Sequence, residues 1–156
     1  MPVKPIPDGY RGVTPYLCIK GAAEAIAFYQ RAFGAVELFR LVAPGGKIGH
    51  AEIKIGDSPV MLADPCEEEN FRSSQSLGGS PVGLHVYVAD VDAVFAQAVV
   101  AGAKALKPVP DQFYGDRTGT LQDPCGHLWF LATRKEDLDP EEINRRFEAL
   151  FKRSGA

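Results

Sequence analysis

The chain says nearly the same thing twice. Residues 17–35 read LCIKGAAEAIAFYQRAFGA and residues 85–103 read HVYVADVDAVFAQAVVAGA. In each copy a short apolar, strand-like run ends in a small-residue turn, Lys20-Gly21 or Ala89-Asp90. An Ala-rich amphipathic stretch follows and stops at Gly34-Ala35 or Gly102-Ala103. More strand-like runs come after each stop. Copies about half a chain apart are too distant for a solenoid repeat and fit a duplicated module. Two small βαβ-type modules, each with one open sheet face, can enclose a site between them.

A chain of 156 residues makes one domain, or two intimately packed halves, and suffices to bury a real core. The composition, 46% hydrophobic and 24% charged, is that of an ordinary globular protein. A net charge of −3 with dispersed basic residues argues against nucleic acid as a partner. No apolar run approaches the roughly 20 residues of a membrane span, and the Pro-rich start, Met1 to Tyr10, has no signal-peptide core. The expected location is cytoplasmic. Three cysteines, Cys18, Cys66 and Cys125, lack metal spacing and leave one unpaired, so neither a disulfide framework nor a zinc cluster is expected. Cys125, in the turn Asp123-Pro124-Cys125-Gly126, is in a place where a thiol can be accessible.

Periodicity sets the expected order of elements. A strand over 13–19 leads into a helix over 21–33, ended by Gly34. Strands follow at 36–42, 47–55 and 59–63. Residues 64–80, with Glu67-Glu68-Glu69 and Gly78-Gly79-Ser80, read as a linker or mobile loop. The second copy gives a strand at 82–88, a helix at about 90–101, and strands near 104–109, 116–122 and 127–132. The tail starts a helix well, with Asp139 as cap, Pro140 next and Glu141-Glu142 in the first turn. Its stripe of Ile143, Phe147, Leu150 and Phe151 must dock, on its own domain or on a partner subunit. The expected domain plan is a first βαβββ module over 10–64, a linker over 65–80, a second module over 81–134 and a C-terminal helix over 138–153.

With these elements in place, the pattern resembles the vicinal oxygen chelate superfamily, which holds glyoxalases, extradiol dioxygenases and bleomycin and fosfomycin resistance proteins. The residues that carry the resemblance are Phe28-Tyr29 and Phe33-Gly34-Ala35 on the first helix, and the late turn Asp123-Pro124-Cys125-Gly126-His127. Gly49-His50-Ala51-Glu52, Gly83-Leu84-His85-Val86-Tyr87-Val88 and Gln112-Phe113-Tyr114-Gly115-Asp116-Arg117 look most like its PhnB-like branch. The resemblance implies an α+β fold, two paired βαβββ modules forming a curved mixed sheet around a cavity, with helices on the outer face. It also implies a homodimer, since such modules bury sheet edges by pairing.

Strand alternation then assigns faces. Ala51, Ile53 and Ile55 suit helix packing, and His50, Glu52 and Lys54 suit the cavity or solvent. Leu84, Val86 and Val88 pack inward, while Gly83, His85 and Tyr87 look outward into the cavity. Metal enzymes of the superfamily use His or Glu ligands from four strands. Those positions fall on Thr14, Glu52, Gly83 and Phe130, of which only Glu52 is a competent ligand. His127 reads as a turn or edge residue and Trp129 as core. Phe113 to Arg117 suits a pocket rim that stacks on a planar ligand and pairs with an anion, or equally a solvated hairpin. No glycine-rich loop of nucleotide-cofactor type follows a first strand, so nothing supports methyl transfer.

Two functions stay open. One is a metal-free small-molecule binding protein, without cofactor, whose ligand pocket is His50, Glu52, His85, Tyr87, Tyr114, Arg117 and Phe130. The other is a divalent-metal lyase, isomerase or dioxygenase with a shifted His50, Glu52 and His85 ligand set. No catalytic residue and no ligand identity follows from the sequence.

Overall fold

The computed structural model describes residues 3–155. The chain order is β1 (Tyr16–Cys18), α1 (Ala22–Phe33), β2 (Val36–Val42), β3 (Ile48–Ile55), β4 (Ser58–Ala63) and α2 (Ser74–Leu77). It continues through β5 (Gly83–Tyr87), α3 (Val91–Ala101), β6 (Lys104–Lys107), β7 (Asp116–Gln122), β8 (Leu128–Arg134) and α4 (Pro140–Ser154). The strands form two mixed four-stranded sheets, ordered β1-β4-β3-β2 and β5-β8-β7-β6. In each, the first strand lies parallel to the last and the other pairs are antiparallel. The two sheets are separate, so they do not close into a barrel.

The α1 segment is helical because its Ala-rich stretch puts Ala22, Ala25, Ile26, Phe28, Tyr29 and Ala32 on one buried face. It stops where Gly34 adopts φ 64° and its N–H turns back to Gln30 O, a left-handed conformation that costs glycine nothing. α3 packs against α1 across the halves. Gln97 of α3 reaches the far end of α1, donating to Arg31 O at 2.8 Å and Ala32 O at 3.1 Å. One apolar core therefore holds both helices and the helix-facing residues of both sheets, among them Ile53, Leu62, Leu121, Trp129 and Leu131.

The repeat can be superposed through its ladders. Ile19 N donates to Ala63 O at 2.9 Å, and Val88 N donates to Ala132 O at 2.8 Å. Ile19 thus matches Val88, and by the same register Tyr16 matches His85, Thr14 matches Gly83, and Met61 matches Phe130. The plain sequence alignment instead sets Leu17 against His85, one residue off in the strand. The slip arises because α1 has 12 residues and α3 has 11.

Residues 64–80 are more ordered than a bare linker. They hold a Cys66–Phe71 bridge and the short α2, whose Ser73 side chain accepts from Ser76 N at 3.3 Å. α4 begins as its sequence dictates, with Asp139 accepting from Glu142 N at 2.8 Å. It docks on its own chain. Phe147 packs on Phe113 at 5.6 Å between ring centroids, and Arg146 pairs with Glu136 and donates to Phe113 O. Phe147, Leu150 and Phe151 remain exposed.

Candidate functional site

On β3, Ala51, Ile53 and Ile55 are buried beneath α1, while His50 and Glu52 are half-buried on the opposite, open face. There His50 Nε2 lies 3.1 Å from Glu52 Oε1, and its Nδ1 lies 2.6 Å from Tyr16 Oη. A carboxylate only accepts. Nε2 therefore donates to Glu52, and in the tautomer that leaves Nδ1 bare that nitrogen accepts from the Tyr16 hydroxyl. Burial and the Glu69 carboxylate raise the Tyr16 phenol above its ordinary pKa, so it stays protonated. Phe39 stands beside the His50 ring and Phe71 meets Tyr16 edge-on. Cross-strand pairing adds Leu41 and Met61 to this face. The result is a polar trio in an apolar frame. Tyr16 was not among the residues expected from sequence, although alternation from Thr14 along the same strand already put it on this face.

The open face of the second sheet is built differently. Phe130 lies over Gly83, and a Cβ built on Gly83 would stand 2.4 Å from Phe130 Cε2. The phenyl ring occupies the space a side chain at residue 83 would need. These are two of the four positions at which the superfamily's metal enzymes carry ligands. The third, Thr14, is a weak neutral donor. The fourth expected position, Glu52, is the one competent donor, and it pairs across the ladder with Met61, the residue that the repeat matches to Phe130. The residues present do not fit a divalent ion there. The shifted set is not assembled within one chain either. His85 packs on Tyr87 at 4.8 Å on the second sheet, and among the described residues no group of three or more His, Cys, Asp or Glu side chains is placed to hold a metal.

Tyr87 donates to Asp116 Oδ2 at 2.6 Å, and that bond holds its phenol above the ordinary pKa. Tyr87, Tyr114 and Asp116 share a cavity of about 590 Å³ roofed by Leu138 and Ile143 of the C-terminal segment. A second cleft, of about 770 Å³, opens between the segment around residues 9–15, the β3–β4 turn and β5. It is lined by His85, Tyr87 and Lys54 among others. Arg117 belongs to neither. It lies on the helix side of β7 and is held by Asp92 (2.7 Å) and Asp111 (3.2 Å). Arg117, expected at a pocket rim, thus has its guanidinium engaged by two carboxylates of its own chain.

Sequence reasoning also missed a buried centre at the β7–β8 turn. Asp123 accepts from Tyr29 Oη (2.6 Å), Trp129 Nε1 (2.9 Å), Cys125 N (2.9 Å) and His127 N (3.0 Å). Cys125 is buried rather than accessible, and burial pushes its thiol up to about 12. His127 is buried too, facing Ser74 Oγ at 3.1 Å rather than lying at an edge. The only sequence signal was an Asp followed by four residues of turn; nothing local announced that Tyr29, far earlier in the chain, would reach it.

This geometry defines a class: paired β-α-β-β-β halves with helices packed together and the opposite sheet faces left open. The chain belongs to the glyoxalase/bleomycin resistance protein/dioxygenase superfamily, whose family model matches residues 13–131. It is 42% identical over 134 residues to an uncharacterised protein of Mycobacterium bovis, covering 84% of this chain and 88% of that one. Among solved structures, TioX from Micromonospora aligns with a TM-score of 0.63 at 28% identity, covering 83% of this chain and all of TioX. A putative 3-demethylubiquinone-9 3-methyltransferase, PhnB protein, from Bacillus cereus aligns with a TM-score of 0.63 at 22% identity, over 79% of this chain and 99% of that one. The fosfomycin resistance protein FosX of Listeria monocytogenes aligns with a TM-score of 0.61 at 17% identity, over 86% and 98%. The last two likenesses are likenesses of fold. No helix among the described residues is long and apolar enough to cross a membrane.

Proposed function

We propose that this protein is a small-molecule binding member of the superfamily, of the PhnB-like branch, acting in the cytoplasm as a homodimer and without a resident metal. The observation that carries the reading is the presence of an open face on each sheet. One presents Tyr16, His50 and Glu52 in an apolar frame. The other has Phe130 seated over Gly83 where a ligand side chain would stand. Apolar walls with a few convergent polar groups are what small-molecule sites are made of. The exposed apolar residues of the edge strand β2, Val36, Leu38, Phe39, Leu41 and Val42, favour a second copy covering part of this surface.

The competing reading is a divalent-metal lyase, isomerase or dioxygenase using His50, Glu52 and His85. One experiment separates them. The protein is exposed to nickel, zinc, manganese or iron, dialysed, and analysed for metal. The binding reading expects no stoichiometric metal. A retained ion that is lost in Glu52→Ala overturns it in favour of the metal enzyme. Sedimentation at micromolar concentration tests the dimer, and a mass equal to one chain removes it.

A further inference from the structure

The superfamily reading leaves the chemical class of ligand open, and the surplus of positive charge around the larger cleft narrows it. Arg117, the cation that sequence reasoning offered to an anionic ligand, is spent on Asp92 and Asp111. Arg40, Arg134, Arg145 and Arg146 are likewise spent on Glu37, Asp137, Glu142 and Glu136. Arg11 and Lys54 are different. Neither has an ion-pair partner among the described residues, and both line the same cleft of about 770 Å³ from different walls. Arg11 comes from the segment before β1, and Lys54 comes from the open face of β3, two residues beyond Glu52. His85 adds a third nitrogen group, and Asp57 is the single acidic residue of the lining. The rest of the lining is largely apolar, with Val13, Leu84 and Val86 at the cleft and the core residues Val60 and Trp129 buried behind it.

We infer that this cleft binds an amphipathic organic anion, with an apolar or aromatic body and one carboxylate, sulfonate or phosphate group. The inference rests on the small-molecule-binding reading and adds the ligand's charge and shape. Its volume lies within the roughly 300–1,000 Å³ of small-ligand sites. The lining carries two unpaired cations against one carboxylate, in a chain whose net charge is −3. Arg11 and Lys54 hold the anionic group through charge-assisted hydrogen bonds, as a fork and a point charge respectively. The apolar lining takes the body.

The test uses the full chain and three compounds that share one body: 4-phenylbutyrate, 4-phenylbutan-1-ol and 4-phenylbutylamine. Affinity is read by calorimetry. Trp129 is the chain's single tryptophan and lies buried just behind the cleft, so a change in its fluorescence accompanies binding there. The acid is expected to bind about tenfold more tightly than the alcohol at low salt, with the amine weakest and a change in Trp129 emission. The advantage of the acid should shrink as salt is added. In the Arg11→Gln, Lys54→Gln double variant, both sites being exposed, the acid should fall to the affinity of the alcohol. An acid advantage that survives in the double variant overturns the inference. So does an acid that binds no better than the alcohol, and in that case binding of all three leaves the small-molecule reading standing. Failure of all three to bind also overturns it, while the metal and sedimentation measurements judge the broader reading independently.

Discussion

The two halves run the same strands in the same order and yet hold themselves together by different means. In the first half the Asp64 carboxylate, just beyond β4, accepts from Gly21 N (2.9 Å), Ala22 N (3.4 Å) and Ile48 N (2.7 Å). It ties the start of α1 to the start of β3. The matching residue of the second half is Thr133. Its hydroxyl accepts from Val91 N at 2.9 Å and donates to Val88 O at 2.8 Å, while Asp90 caps α3 by accepting from Ala93 N. The turns diverge in the opposite sense. The β3–β4 turn carries an exposed Asp57, whereas the β7–β8 turn carries the buried Asp123. Each half thus has one carboxylate that accepts from two or more backbone N–H groups, but in a different place. Asp64 serves its own half; Asp123, through Tyr29, joins the two. A duplicated backbone fixes where strands and helices go and leaves free where the buried charge sits.

Removing those carboxylates breaks the comparison most sharply. Asp123→Ala leaves the Tyr29 hydroxyl and the Trp129 indole N–H buried without their acceptor. It should cost about 3–5 kcal/mol in chemical denaturation. Asp57→Ala, at the corresponding turn, should stay within about 0.5 kcal/mol. A loss below about 1 kcal/mol for Asp123→Ala would mean that Tyr29 and Trp129 find other partners, and that the core alone joins the halves.

Next comes the matched pair on the open faces. Gly83→Ala forces its Cβ against Phe130 and should destabilise by about 2 kcal/mol through overpacking. Thr14→Ala, at the equivalent position of the first half, should cost less than about 1 kcal/mol. Adding Phe130→Ala to Gly83→Ala should give a total clearly below the sum of the two single losses, because the pair is in contact. Strict additivity would show that the ring is free to swing away from Gly83.

The helix anchors give smaller numbers. Asp64→Ala removes an acceptor of three backbone bonds and should cost about 2 kcal/mol, and Thr133→Val should cost about 1 kcal/mol, as a single neutral partner does. Equal losses would erase the distinction between a charged and a neutral anchor.

The same comparison explains what could be read in the sequence. Topology was legible because it depends on periodicity: Ala51, Ile53 and Ile55 are buried and His50 and Glu52 are not, as alternation requires. The helix stop at Gly34 and the Asp139 cap were legible because the cause is local. The Tyr16–His50 contact spans 34 residues, and the Tyr29–Asp123 contact spans 94. Neither leaves a local pattern, since any polar residue on the right face could have filled either role. Arg117 shows the converse. It was read as a pocket-rim residue, but its partner Asp92 sits on α3, and only packing decides that an arginine beside a pocket-like motif is already engaged.

The smallest effect is a pH dependence at the second half's turn, where the repeat matches His127 with Ser58, which does not titrate in this range. Its Nε2 faces Ser74 Oγ, its Nδ1 is buried without a hydrogen-bond partner, and Asp123 Oδ2 is 3.8 Å from Nδ1. Burial lowers its pKa from the ordinary imidazole value, and the Asp123 charge opposes that shift more weakly. A neutral His127 is therefore favoured by the fold. Above about pH 6.5, the ordinary value, folded and unfolded chains are alike at this site and its contribution is complete. Below it, the unfolded chain binds a proton that the folded chain does not, so stability falls as pH drops toward the folded pKa. His127→Gln keeps a polar atom toward Ser74 and cannot titrate. Between about pH 7 and pH 5 its stability should fall less steeply than that of the wild type. The difference in slope should be at most about 1.4 kcal/mol per pH unit, the linkage of one proton. Denaturation series at several pH values measure it. Parallel curves would mean that Asp123 offsets burial in full, and that the buried carboxylate joining the halves also sets the charge of its neighbour.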